Sequence, residues 1–162
     1  MSDDADAPEQ PELDDERPGL RFYTVAGANA LVAHLNRVFD QVDAGRARVQ
    51  ELVNELVPLG VKLGRVLPPV LAHDPRVRPQ LEELLAVNEE LQAVLGELAE
   101  LGVEVKTLDG LVDVRSRFEG RVVCLCWRRG EPAFEHWHEV EAGFAGRAPI
   151  LTPEAFEGTL LN

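Results

Sequence analysis

The apolar positions change period along the chain, and the change divides it. Ala28, Leu31, Leu35, Val38, Val42, Gly45, Val49, Leu52 and Leu56 recur every three and four residues, the spacing of a helix that packs along a second helix. Thr24 stands where a hydroxyl can cap such a helix, so the spacing predicts one helix from Val25 to about Leu56. At 1.5 Å per residue it would run ~48 Å, too long to stand alone in so small a domain. A second seam, Leu81, Leu84, Asn88, Leu91, Leu95 and Leu98, ends at Gly102 in the position of a C-cap. Between the seams, Pro58, Gly60, Gly64, Pro68, Pro69, Pro75 and Pro79 mark residues 57–79 as a long connection. The expectation is a long antiparallel helical hairpin, coiled-coil-like, over about residues 24–101. Asn88 either fixes register or oligomeric state, or sits at the edge of a slightly turned seam with Leu85 facing inward.

After Gly102 the period becomes alternating. Val103 to Leu108, Leu111 to Val114 and Arg121 to Arg128 read as two or three antiparallel strands, with turns at Asp109-Gly110 and Glu119-Gly120, and a turn at Gly130-Glu131-Pro132 leads into Phe134 to Glu141. This predicts a small antiparallel β-meander and a C-terminal loop module over about 103–151. The fold class expected is therefore α+β, mainly α, with one globular domain over 20–151 and an extension over 152–162. Residues 1–19 are acidic, carry Pro8, Pro11 and Pro18, and have little apolar surface to offset the entropy of ordering. They are expected to form a disordered tail.

Charge narrows the function classes. The net charge is −13, and Asp3, Asp4, Asp6, Glu9, Glu12, Asp14, Asp15 and Glu16 against Arg17 place much of it in the first 17 residues. A chain this acidic lacks the cationic surface that neutralises phosphates, so no nucleic-acid partner is expected. No apolar run approaches the ~18–20 residues of a membrane helix, and the first residues lack the order of a signal peptide. The expected location is the cytoplasm. Cys124 and Cys126, two apart on one strand, are poorly placed to bridge each other. Ser116 is the only serine beyond the tail and stands in no nucleophile elbow, and no phosphate loop or dinucleotide fingerprint occurs.

Several blocks, taken in order, are similar to one family: Ala28-Asn29-Ala30-Leu31, Gly102-Val103-Glu104-Val105-Lys106, Gly110-Leu111-Val112-Asp113, Leu125-Cys126-Trp127-Arg128, Gly130-Glu131-Pro132, and Trp137-His138-Glu139 through Ala142-Gly143-Phe144-Ala145-Gly146-Arg147. They resemble the bacterial family catalogued as domain of unknown function 2203, over roughly residues 21–150. The resemblance implies no established activity. The chain departs from that pattern in its acidic N-terminus, its long connection and the residues after Leu151. Cys124 and His136 also stand where other residues, often aromatic, are expected.

Chemistry concentrates in Trp127, Glu131, Trp137, His138, Glu139 and Arg147. Aromatic walls with a few convergent polar groups furnish a small-ligand pocket, and histidine can act as acid or base near neutral pH. The same residues also read as a second, smaller core, with the tryptophans packing the sheet onto the helices, His138 bonding a backbone carbonyl and Arg147 pairing with Glu139. No metal is expected. The alternative is a tetrahedral zinc site of Cys124, Cys126, His136 and His138, at spacings unlike the common zinc-ligand pairs.

The ending Glu157 to Asn162 is faintly similar to the Gly-Ser-Leu tails that direct cargo into encapsulin shells, and flavin-binding helical dimers are known among such cargo. A frayed terminus is the other reading. The leading function is a non-catalytic interaction or small-ligand-binding protein. It would be a homodimer through its helices, whose apolar flanks Val53, Leu59, Leu85, Val94 and Leu101 a lone hairpin leaves uncovered, and its C-terminal tail could take a protein partner. The alternative is a redox or metal-dependent enzyme using flavin or zinc.

Overall fold

The structure, a computed structural model, describes residues 21–64 and 75–159. The expected disordered tail, the centre of the connection between the helices and the last three residues of the suggested docking tail lie outside the described residues. Among the described residues three α-helices come first: α1 Val25–Asn29, α2 Val32–Leu56 and α3 Arg78–Glu100. Thr24 caps α1 as expected, its Oγ1 accepting the Gly27 N–H at 3.0 Å.

The single helix expected from Val25 is interrupted at Ala30–Leu31, where the Leu31 N–H turns back to the Ala28 carbonyl. Asn29, at the break, accepts the Phe134 N–H at 2.7 Å through its side chain and so ties the helix end to a distant loop. α3 starts ahead of its first seam leucine, with Pro79 in the first turn, where a missing N–H removes no helical bond. α2 and α3 pack closely at Gly45, where a Cβ would meet the Leu91 side chain at 2.7 Å. Asn88 is exposed while Leu85 is half-buried, which is the arrangement of the turned seam. Among the described residues, no helix is long and apolar enough to cross a membrane.

The remaining chain forms β1 Val103–Thr107, β2 Leu111–Phe118, β3 Arg121–Arg128, β4 His136–Glu139, β5 Ala148–Pro149 and β6 Phe156–Glu157. The order is β1-β2-β3-β4-β5, and β6 pairs with β2 beyond the end of β1. Glu119 and Gly120 both take positive φ, 50° and 76°, in the two-residue turn between β2 and β3.

This architecture corrects the expected helical hairpin followed by a small meander and loop module: the chain builds a six-stranded antiparallel sheet that shares one core with its helices. The physical reason is alternation. Every second residue of the central strands is apolar, and that face needs cover. Ala28, Leu35, Phe39, Val42 and Leu98 supply it against Val103, Val112, Val114, Val123, Leu125 and Trp127. The α+β class stands. A smaller core of Leu52, Leu56, Val61, Val77, Leu81 and Leu84 joins the outer ends of α2 and α3.

The residues after Leu151 also enter the sheet. Phe156 is buried and stacks on Phe118, with ring centroids 4.6 Å apart. The Thr159 N–H donates to the Phe22 carbonyl at 2.9 Å, and Thr159 Oγ1 accepts the Phe22 N–H at 3.0 Å. Gly158 lies against the segment just before α1, where an added Cβ would meet backbone: Thr24 N at 2.6 Å and Tyr23 C at 2.9 Å. Backbone cannot swing aside, so Gly158→Ala is expected to cost about 1–3 kcal/mol and to lower Tm by roughly 3–10 °C in a thermal melt. An unchanged Tm would show that this clasp contributes nothing to stability.

Candidate site on the polar face of the sheet

The registers that turn Val112, Val114, Leu125 and Trp127 toward the helices turn their neighbours the other way. Asp113 faces Cys126, which faces His136; Arg115 faces Cys124, which faces His138. Three adjacent strands thus bring an acid, two thiols and two imidazoles to one face. Asp113, Cys124 and His138 are only 3%, 2% and 2% exposed. Their ligand atoms all lie within 4.8 Å of one another.

The hydrogen bonds orient this group. His138 Nδ1 lies 2.7 Å from the Glu139 carbonyl oxygen and Nε2 lies 3.1 Å from Asp113 Oδ1. Arg115 donates from Nη1 to Cys124 Sγ at 3.4 Å and from Nε to Glu104 Oε1 at 3.0 Å. Lys106 Nζ is 2.9 Å from Glu104 Oε2 and 4.0 Å from Asp113 Oδ2. Burial pushes the Cys124 thiol up to about 11, against the nearby Arg115 charge, which pulls it down. Burial pushes Cys126 up to about 12, and the Asp113 carboxylate, which accepts its S–H, adds to the rise. For Glu104 burial acts upward, but Lys106 and Arg115 outweigh it and hold the carboxyl below its ordinary value.

Beside this group stands a second one. Arg147 grips both carboxylate oxygens of Glu131, at 3.0 and 2.6 Å, and donates to His136 Nδ1. Glu131 also accepts the Arg128 N–H at 2.8 Å. Burial pushes its carboxyl up, yet Arg147 and that backbone bond hold it below the usual range.

The six residues singled out in the sequence are therefore divided. His138 joins Asp113 and Cys124; Glu131 and Arg147 join His136. Trp127 is fully buried on the helix side, 6.3 Å from Phe39 and 6.4 Å from Phe134, and its indole N–H donates to the Glu131 carbonyl at 2.9 Å. Trp137 is half-buried against Phe118 and Phe156. Glu139 is exposed and binds Arg121 at 2.5 Å, where the small-core reading pairs Arg147 with Glu139. Of the four zinc-ligand candidates, Cys124 and His138 meet Asp113, His136 turns to Arg147, and Cys126 stands opposite Asp113 in the register but outside the group.

Asp113 and Arg115 are site residues that the sequence reading passed over. The available signal is an acid inside the apolar run Leu111-Val112-Asp113-Val114, buried between buried neighbours.

The fold and face define an α+β protein whose sheet is apolar toward its helices and carries a buried acid–thiol–imidazole group on its other side. The chain matches the model of the family described as Uncharacterized conserved protein (DUF2203) over residues 21–150, and it belongs to that family. No curated protein and no solved structure matches it.

Proposed function

We propose that the protein is a cytoplasmic binding protein for a compact ligand, held on the polar face of its sheet by Asp113, Cys124 and His138. The observation that carries this reading is the near-complete burial of three ligand-type side chains whose polar atoms converge. Such atoms lose water on folding; here they turn to one another, to Arg115 and to the Glu139 carbonyl, a convergence of donor types that a bound ion could join. Ligand atoms that all lie within 4.8 Å of one another suit a ligand of ionic size rather than an organic molecule lying between Trp127 and Trp137. Those two rings serve as scaffold, and Glu131, Arg147 and His136 form a polar rim. Burial favours binding over thiol redox chemistry, because thiols pushed up to about 11 and 12 hold almost no thiolate at neutral pH.

Mass spectrometry of the chain as purified, under native and then denaturing conditions, tests the reading. An adduct that survives native ionisation, vanishes on denaturation and is lost in Cys124→Ser is expected. The bare chain mass under both conditions would overturn it.

The same reading includes a homodimer through the helices. Val57 and Leu59, just past the end of α2, are 53% and 62% exposed, an apolar end that a second copy could cover. Light scattering on a size-exclusion peak is expected to give about twice the 17.9 kDa chain. A monomer at tens of micromolar would remove the dimer from the reading.

A further inference from the structure

We infer that the ligand of the polar face is a divalent, sulfur-seeking metal ion of the zinc class, bound by the Asp113 carboxylate, Cys124 Sγ and His138 Nε2. This deepens the binding-protein reading and rests on it.

A carbonyl oxygen can only accept, so the contact between His138 Nδ1 and the Glu139 carbonyl places a proton on Nδ1. In the neutral ring Nε2 is then a bare lone pair, and it points at Asp113 Oδ1 from 3.1 Å. A lone pair and a carboxylate oxygen at that distance repel unless a positive charge lies between or beside them. Either a proton or a metal ion supplies it. Histidine ligands to metals characteristically donate their other ring N–H to a carbonyl or carboxylate, which fixes the ring and frees the second nitrogen.

The neighbouring atoms favour the metal. Zinc bonds to N and O at ~2.0–2.2 Å and to S at ~2.3 Å, which in a tetrahedron separates the ligand atoms by roughly 3.3–3.7 Å. The His138–Asp113 separation is already near that, and no pair in the group exceeds 4.8 Å, so small side-chain shifts close the site. Cys124 and His138 bring sulfur and imidazole donors, which select zinc-class ions over magnesium or calcium. Arg115, bonded to Cys124 Sγ, stabilises the thiolate that coordination forms. Its charge and that of Lys106 are both met by Glu104. With the thiolate formed on coordination, Glu104, Asp113 and Cys124 carry three negative charges against the two positive ones of Lys106 and Arg115. Binding replaces the Cys124 thiol proton by a sulfur–metal bond and replaces any proton held between His138 and Asp113 by the ion itself, the protons leaving to solvent.

Cobalt(II) serves as a coloured stand-in for zinc. The full chain, stripped with a chelator and desalted, is titrated with cobalt(II) and followed by absorbance. The expected result is saturation at one ion per chain, with a thiolate-to-cobalt charge-transfer band, strong visible bands of tetrahedral cobalt, and bleaching on addition of zinc. Cys126→Ser, which keeps a hydrogen-bond donor to Asp113, is expected to retain the spectrum. Cys124→Ser is expected to lose the charge-transfer band, with circular dichroism confirming its fold.

A wild-type chain that develops no bands overturns the inference, as does a charge-transfer band that persists in Cys124→Ser or disappears in Cys126→Ser. An organic adduct in native mass spectrometry together with no cobalt binding overturns the metal while leaving the binding face. A bare mass with no cobalt binding overturns both.

Discussion

Replacing Trp127 with alanine is expected to lower the free energy of folding by about 3–5 kcal/mol, the range for removing a large aromatic from a packed core. The indole is fully buried between Phe39 of α2 and Phe134 ahead of β4, and so joins helix to sheet. Its removal opens a cavity among rings that cannot collapse without moving α2. It also leaves the Glu131 carbonyl without its indole donor. Against a total stability of about 5–15 kcal/mol for an ordinary domain, that loss removes roughly a fifth of the total or more. A urea titration checks this, the midpoint falling with little change in slope. Trp127→Phe is the control: it keeps most of the apolar contact and should cost far less. A Trp127→Ala chain within about 1 kcal/mol of wild type would contradict a structural role for the ring.

The contrast between this tryptophan and its neighbours shows what was legible in the sequence. The two long helices stand where the three-and-four spacing puts them, because a seam of leucines and valines is a local pattern that tertiary packing only confirms. The break at Ala30–Leu31 was not legible, since the partner of Asn29 is Phe134, 105 residues away. The glycine turns announced the central strands. β5 and β6, two residues each, have no period of their own and exist only through pairing, so the sheet's size was hidden.

The site was half visible for a related reason. Alternation alone sends Trp137 and His138 to opposite faces, which argues against one pocket holding both. That Asp113 meets Cys124 and His138 depends on the registers of two successive strand pairs, and a shift of one residue in either would part them.

Removing the His138 ring from the metal-free chain should cost nearly as much as removing Trp127, for an electrostatic reason. His138→Ala leaves the Asp113 carboxylate buried, with the Cys126 thiol and a lysine 4.0 Å away as its remaining contacts near the site. Breaking a buried pair by deleting one partner costs about 3–5 kcal/mol, and with Lys106 still 4.0 Å from Asp113 the loss is expected toward the lower end of that range. The signature of this mechanism is non-additivity. In the double variant Asp113→Asn with His138→Ala, the stranded charge is gone, so the combined loss should fall short of the summed single losses by about 1–3 kcal/mol. Chemical denaturation of the four proteins with chelator present measures the cycle without interference from metal. Losses that add to within about 0.5 kcal/mol would mean that the two side chains do not interact. A large coupling energy would make His138 a residue of both kinds. Its burial places it among structural groups, while the lone pair it turns toward Asp113 makes it a ligand, so low cost on substitution does not separate the two roles here.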